Sequence, residues 1–132
     1  MDVANPSNFV RILELFGQQL PQLKQTLSAC SISDAETVAT IKDLNTNHHY
    51  LPDPHGAVGY LALKNYLDWH PGEKGIFLET AHPVKFYDTV EKVTGEKIAL
   101  PPAIAPLLKK EKHSKKISPR YEELKDFLLS YK

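Results

Sequence analysis

The chain has 132 residues, of which 42% are hydrophobic, and 16 Lys+Arg balance 16 Asp+Glu to a formal net charge of zero. That composition predicts one ordinary core and a single region, and it argues against a surface built for nucleic acid or anionic lipid. With no run of about 18 apolar residues there is no membrane-spanning helix. Cys30, the lone cysteine, excludes an intrachain disulfide framework and argues against a cysteine-based zinc site, which fits a reducing cytoplasm. The stretch Met1 to Pro6 has neither a basic nor an apolar leader region, so no signal peptide is expected.

The first helix is expected to start at Asn5-Pro6-Ser7-Asn8, where Ser7 or Asn8 can cap free N–H groups. Phe9, Ile12, Leu13, Phe16 and Leu20 form its apolar stripe, and Pro21 ends or bends it. Ser33 and Glu36 have capping-box spacing, followed by a narrow face of Ala35, Val38 and Ile41. Tyr50-Leu51 should be extended before Pro52. Asp53-Pro54 then reads as an N-cap with proline at the first helical position, and the helix runs through Val58, Leu61 and Ala62 towards Leu67. Gly56 and Gly59 cost that helix about 1 kcal/mol each relative to alanine. Close packing of another element is the simplest reason for them, and a ligand is the alternative.

Gly75-Ile76-Phe77-Leu78-Glu79-Thr80 is the best strand in the chain, short, apolar and bounded by glycine. Ala81-His82-Pro83 then opens a helix carrying Val84, Tyr87, Val90 and Val93, with Gly95 at its end. A ligand at this strand–turn–helix would meet the strand's carboxyl end and the positive end of the helix dipole. Pro101 to Leu108 reads as a short helix. Ser118-Pro119 caps a last one, with Tyr121, Leu124, Phe127, Leu128 and Tyr131 facing inward. One strand cannot satisfy its own backbone groups. Its partners must come from weaker segments, another copy, or sequence beyond this chain.

Several residues invite a chemical reading. His48, His49, Asp53 and His55 are close in sequence, but they straddle a turn and a helix start and do not have the spacing of converging metal ligands. A solvated turn with one buried histidine is the simpler reading, with no metal. The run Lys109 to Lys116 contains no interleaved aromatic and reads as a solvated linker. Cys30 has no basic neighbour and reads as a small buried or partly buried residue rather than a nucleophile. Thr80 is the sharpest candidate. Its hydroxyl either ends the strand and caps the next helix, or it meets a heterocyclic nitrogen.

The stretches Leu51-Pro52-Asp53-Pro54-His55-Gly56-Ala57-Val58-Gly59-Tyr60 and Leu78-Glu79-Thr80-Ala81-His82-Pro83-Val84-Lys85-Phe86 resemble the C-terminal part of threonine synthase. Met1-Asp2-Val3-Ala4-Asn5-Pro6-Ser7-Asn8-Phe9 is similar to that family's M-D-V-G-N-P-S-N-F segment, departing from it at Ala4, and Ser118 to Lys125 fits the family's end. The resemblance covers the whole chain in order, and the T-A-H-P-x-K-F stretch is its most specific part.

It implies a helix-rich α/β piece, with few strands in this chain, of a fold-type II pyridoxal 5'-phosphate enzyme of the tryptophan synthase β kind. The family converts O-phospho-L-homoserine and water to L-threonine and phosphate. Its Schiff-base lysine, glycine-rich phosphate loop and most substrate contacts lie in the N-terminal half. Residues 1–132 would therefore be a single C-terminal region with no catalytic residue of its own, inactive alone, and with apolar surface open to self-association. The resemblance also implies that Thr80 binds the cofactor by partnering its pyridine nitrogen. Lys85 belongs to the T-A-H-P-x-K-F stretch and is not the Schiff-base lysine. His55 and His82 stand near the same region with no catalytic role. The rival is a free-standing, non-enzymatic α/β interaction module. A nucleic-acid binder working through the basic run would show strongly salt-dependent affinity, which a neutral chain is not expected to have.

Overall fold

The computed structural model describes residues 6–130. Ala4 and the rest of the opening five residues, and Tyr131 with Lys132, lie outside them. Among the described residues there are α-helices and short 3-10 turns and no strand. The helices are α1 (Val10–Leu15), α2 (Leu20–Thr26), α3 (Asp34–His48), α4 (Pro54–Trp69), α5 (Tyr87–Thr94) and α6 (Tyr121–Ser130). The 3-10 turns are Pro83–Phe86 and Leu107–Lys109. The chain divides into two compact units, one ending at Ile98 and one beginning at Ala99.

In the first unit, the apolar pattern expected to form one helix is split in two. The backbone turns left-handed at Gly17 (φ +55°) and Gln18 (φ +58°), a conformation glycine adopts without steric cost. Pro21 therefore begins a helix instead of ending one. It sits in the first turn of α2, where its missing N–H breaks no bond, and Leu20 belongs to α2 rather than to the stripe of α1. The Ser7 or Asn8 cap does not form. Phe9 precedes α1 without a side-chain bond, and backbone turns serve instead, with Phe9 N–H donating to Pro6 O at 3.0 Å.

The start of α3 follows expectation. Glu36 N–H donates to Ser33 Oγ at 3.3 Å and Ser33 N–H to Glu36 Oε2 at 2.7 Å. The Ser33 hydroxyl and N–H hold the Glu36 carboxyl below its ordinary range. The buried face is Thr40, Ile41 and Leu44, while Ala35 is exposed, so the apolar stripe lies further along than the spacing suggested. α3 packs against both α4 and α5. Ile41 (0% exposed), Leu44, Ala57 of α4 and Val90 of α5 are the buried apolar residues of this junction. His49 ends α3 in the left-handed region, and Gly95 (φ +74°) ends α5 in the same way.

The segment from Gly75 to Thr80 carries the alternation of a strand without being one. Ile76 and Leu78 are exposed while Phe77 is half-buried, with its ring edge-on to Tyr60 of α4 at 5.6 Å. The expected strand fails because no partner runs beside it among the described residues, and a ladder needs two chains of donors and acceptors. The helix expected from Pro83 opens as the 3-10 turn Pro83–Phe86 and becomes α5 only at Tyr87.

In the second unit, Pro101 to Leu108 forms turns and the brief Leu107–Lys109 3-10 turn rather than a helix. Pro101, Pro102 and Pro106 remove donors and push the residues before them away from helical angles. α6 begins after Ser118-Pro119, whose Ser118 N–H donates to Glu123 Oε2 at 3.0 Å. Its expected inward stripe is largely open. Tyr121, Leu124 and Leu128 are exposed and Phe127 half-buried, with Lys115 Nζ 4.9 Å from the Phe127 ring centre. Among the described residues no helix is long and apolar enough to cross a membrane.

Candidate functional site

The two most specific sequence stretches, 51–60 and 78–86, meet in space. Pro52 and Asp53 are fully buried at the start of α4. Asp53 Oδ1 accepts the Gly56 N–H at 2.7 Å, and Oδ2 lies 3.1 Å from His55 Nδ1. Asp53 N–H donates to Glu79 Oε1 at 3.0 Å, and the Tyr50 hydroxyl donates to Glu79 Oε2 at 3.3 Å. The His55 ring packs on Phe86 with centres 5.0 Å apart. These contacts tie α4 to the polypeptide that follows Phe77.

Gly56 makes that approach possible. A Cβ at this position would lie 1.8 Å from Glu79 Oε2, inside any allowed contact. Close packing was the expected reason for the glycine, and the packing partner is a carboxylate. At Gly59 a Cβ would meet only Phe77 Cβ at 3.9 Å, an ordinary contact, so steric need explains one glycine and not the other.

The two carboxyl groups are pushed apart. Burial would raise Asp53, but the Gly56 N–H and the His55 ring outweigh it and hold the group below its ordinary value. Burial raises Glu79, and the neighbouring Asp53 carboxylate adds to the rise against the lowering pull of the Asp53 N–H. Glu79 is open to solvent along part of its length, yet its carboxyl end lies against α4. Burial and then the Glu79 carboxylate raise the Tyr50 phenol.

Thr80 follows Glu79 directly. It is exposed and ends no strand. Nor does it cap the next helical turn. That position belongs to His82, whose Nδ1 accepts the Val84 N–H at 3.1 Å ahead of Pro83. Among the described residues the Thr80 hydroxyl makes no hydrogen bond. Lys85 lies exposed in the 3-10 turn.

The histidine cluster separates. His48 closes α3, His49 caps it, and only Asp53 and His55 touch; among the described residues no group of three or more His, Cys, Asp or Glu converges. Cys30 is exposed, where a buried or partly buried position was expected. It lines a depression of about 470 Å³ with Ala62, Asn65, Tyr66 and Trp69, because the chain around it forms no helix that could turn it inward. The basic run Lys109 to Lys116 is exposed. Sequence reasoning missed Glu79 and Tyr50. The available signal, for Glu79 alone, was the single charge in the Ile76-Phe77-Leu78-Glu79-Thr80-Ala81 run.

Comparison with known proteins decides the family. The family model described as "Threonine synthase, C-terminal" matches residues 56–128, which takes in α4 from Gly56 onward and the Thr80 turn. The chain belongs to the threonine synthase family. The threonine synthase of Serratia marcescens is 38% identical over 129 residues, covering 98% of this chain and 29% of the relative. The crystal structure of threonine synthase from Escherichia coli matches with a TM-score of 0.75 and 36% identity, over 100% of this chain and 30% of that one. The pyridoxal-phosphate-bound threonine synthase of Brucella melitensis shares the fold, with a TM-score of 0.59 at 24% identity over 97% of this chain and 32% of that one. The chain thus spans less than a third of the length of these relatives. The expected helix-rich C-terminal region of threonine synthase is what the structure matches, with helices and turns alone among the described residues.

Proposed function

We propose that residues 1–132 form the C-terminal wall of the cofactor pocket in a pyridoxal-phosphate-dependent threonine synthase, which converts O-phospho-L-homoserine and water to L-threonine and phosphate. Family membership supports the activity and counts against a module without enzymatic ancestry. The observation that carries the site is Thr80. It offers a hydroxyl with no hydrogen-bond partner among the described residues, next to a turn whose cap is supplied by His82 instead.

The donor chemistry fits the cofactor. The bound cofactor supplies an electron sink for carbanion chemistry. Thr80 tunes that sink: a hydroxyl meets the pyridine nitrogen without holding a full proton on it, whereas a carboxylate there would keep the ring cationic. The fully buried Asp53 donates its N–H to the carboxyl of Glu79, the residue before Thr80, at 3.0 Å, which ties the Thr80 turn to the start of α4. This region holds one wall and not the covalent anchor.

In the full-length enzyme, Thr80→Val should weaken cofactor affinity by about 3- to 10-fold, the size of one lost hydrogen bond. Titration of the apoenzyme followed by cofactor fluorescence measures it, and unchanged affinity would refute the role. The polypeptide of residues 1–132 mixed with pyridoxal phosphate should develop no stable red-shifted absorbance band and no turnover, because covalent attachment needs a positioned lysine. A stoichiometric band that resists dialysis would contradict this.

A further inference from the structure

We infer that Glu79 is a positioning residue, whose carboxyl group straps the Thr80 turn to the start of α4 and so sets the line along which the hydroxyl meets the cofactor ring. The inference rests on the reading of Thr80 above and adds the means by which that side chain is held.

Thr80 and Ala81 are the only residues between two fixed points. On one side, both Glu79 oxygens are committed, Oε1 to the Asp53 N–H at 3.0 Å and Oε2 to the Tyr50 hydroxyl at 3.3 Å, across 26 and 29 positions of sequence. On the other side, His82 caps the 3-10 turn through Nδ1, and its carbonyl accepts the Lys85 N–H at 3.0 Å. Consecutive Cα atoms are about 3.8 Å apart, so a residue next to a pinned neighbour has little room to move. The Gly75–Thr80 stretch has no ladder to hold it among the described residues. Its register rests on the Phe77–Tyr60 ring contact and on the Glu79 strap. Gly56 leaves the space that the strap occupies.

The test uses cofactor affinity in the full-length enzyme together with amide hydrogen exchange at Asp53. Glu79→Ala should weaken affinity by about 3- to 10-fold, as one or two lost hydrogen bonds would, and should speed exchange at the Asp53 amide. Glu79→Gln should restore both, because its carbonyl can still accept the Asp53 N–H and its NH₂ can donate to the Tyr50 hydroxyl. The double variant Glu79→Ala, Thr80→Val should bind no more weakly than Thr80→Val alone, since the strap acts through the hydroxyl. Additive losses, a glutamine as damaging as alanine, or unchanged affinity in Glu79→Ala would overturn the inference. Should Glu79→Ala fail to fold, Tyr50→Phe removes one strap bond, and the same smaller loss is expected; no loss would overturn it. If Thr80→Val itself has no effect while Glu79→Ala still frees the Asp53 amide, the failure lies with the cofactor-facing reading and not with the strap.

Discussion

Replacing Gly56 with valine is expected to lower the unfolding free energy by about 2–3 kcal/mol, the cost of forcing side-chain atoms into an occupied site. A Cβ there would lie 1.8 Å from Glu79 Oε2 and 2.6 Å from its carboxyl carbon. Glu79 could swing clear only by releasing the Asp53 N–H and the Tyr50 hydroxyl. The matched variant is Gly59→Ala, which meets only Phe77 Cβ at 3.9 Å. It should raise stability by up to about 1 kcal/mol through helix propensity and a less free unfolded chain. Urea unfolding followed by helical circular dichroism compares the two. Equal effects from both glycines would show that the Glu79 contact does not constrain Gly56.

The second large effect is at Asp53, which is fully buried. Asp53→Ala should cost about 1–2 kcal/mol, the upper part of the range for a lost N-cap, because the Gly56 N–H loses its acceptor away from water. Asp53→Asn should keep most of the cap and change the pH profile. Asp53 is held below its ordinary value in the folded state, so its contribution is present above the unfolded value and is lost as pH falls through the folded one. Glu79 is raised, so its contribution is present below the unfolded value and is lost as pH rises through the folded one. The asparagine variant should therefore flatten the acid limb of melting temperature against pH. Glu79→Gln should flatten the decline towards neutral pH. An asparagine variant with an unaltered acid limb would contradict the charge state assigned to Asp53.

What the sequence made legible was whatever local chemistry decides. Ser33 and Glu36 are three residues apart and close a capping box without outside help. Asp53-Pro54 likewise starts α4 where its own side chain and fixed φ favour a start. The misreadings arose where distant or missing partners decide. Pro21 could end one helix or begin another, and the left-handed pair Gly17-Gln18 settled the choice. Gly75 to Thr80 has strand alternation, but pairing is a property of two segments, and no second one stands beside it among the described residues. Leu124 and Leu128 have helical spacing, yet spacing does not supply a surface to bury them. At the candidate site, Thr80 was visible as a residue type at a turn. Glu79 was not, because its role depends on Gly56 and Asp53, more than twenty positions earlier.

Nitrogen-15 magnetic resonance of isotope-labelled pyridoxal phosphate bound to the full-length enzyme tests the proposed Thr80 contact at the atom concerned. The native protein should give a pyridine nitrogen that is unprotonated and hydrogen-bonded, and Thr80→Val should move that resonance towards the free, unbonded position. A resonance that is identical in the two proteins, or one already protonated in the native enzyme, would contradict the account.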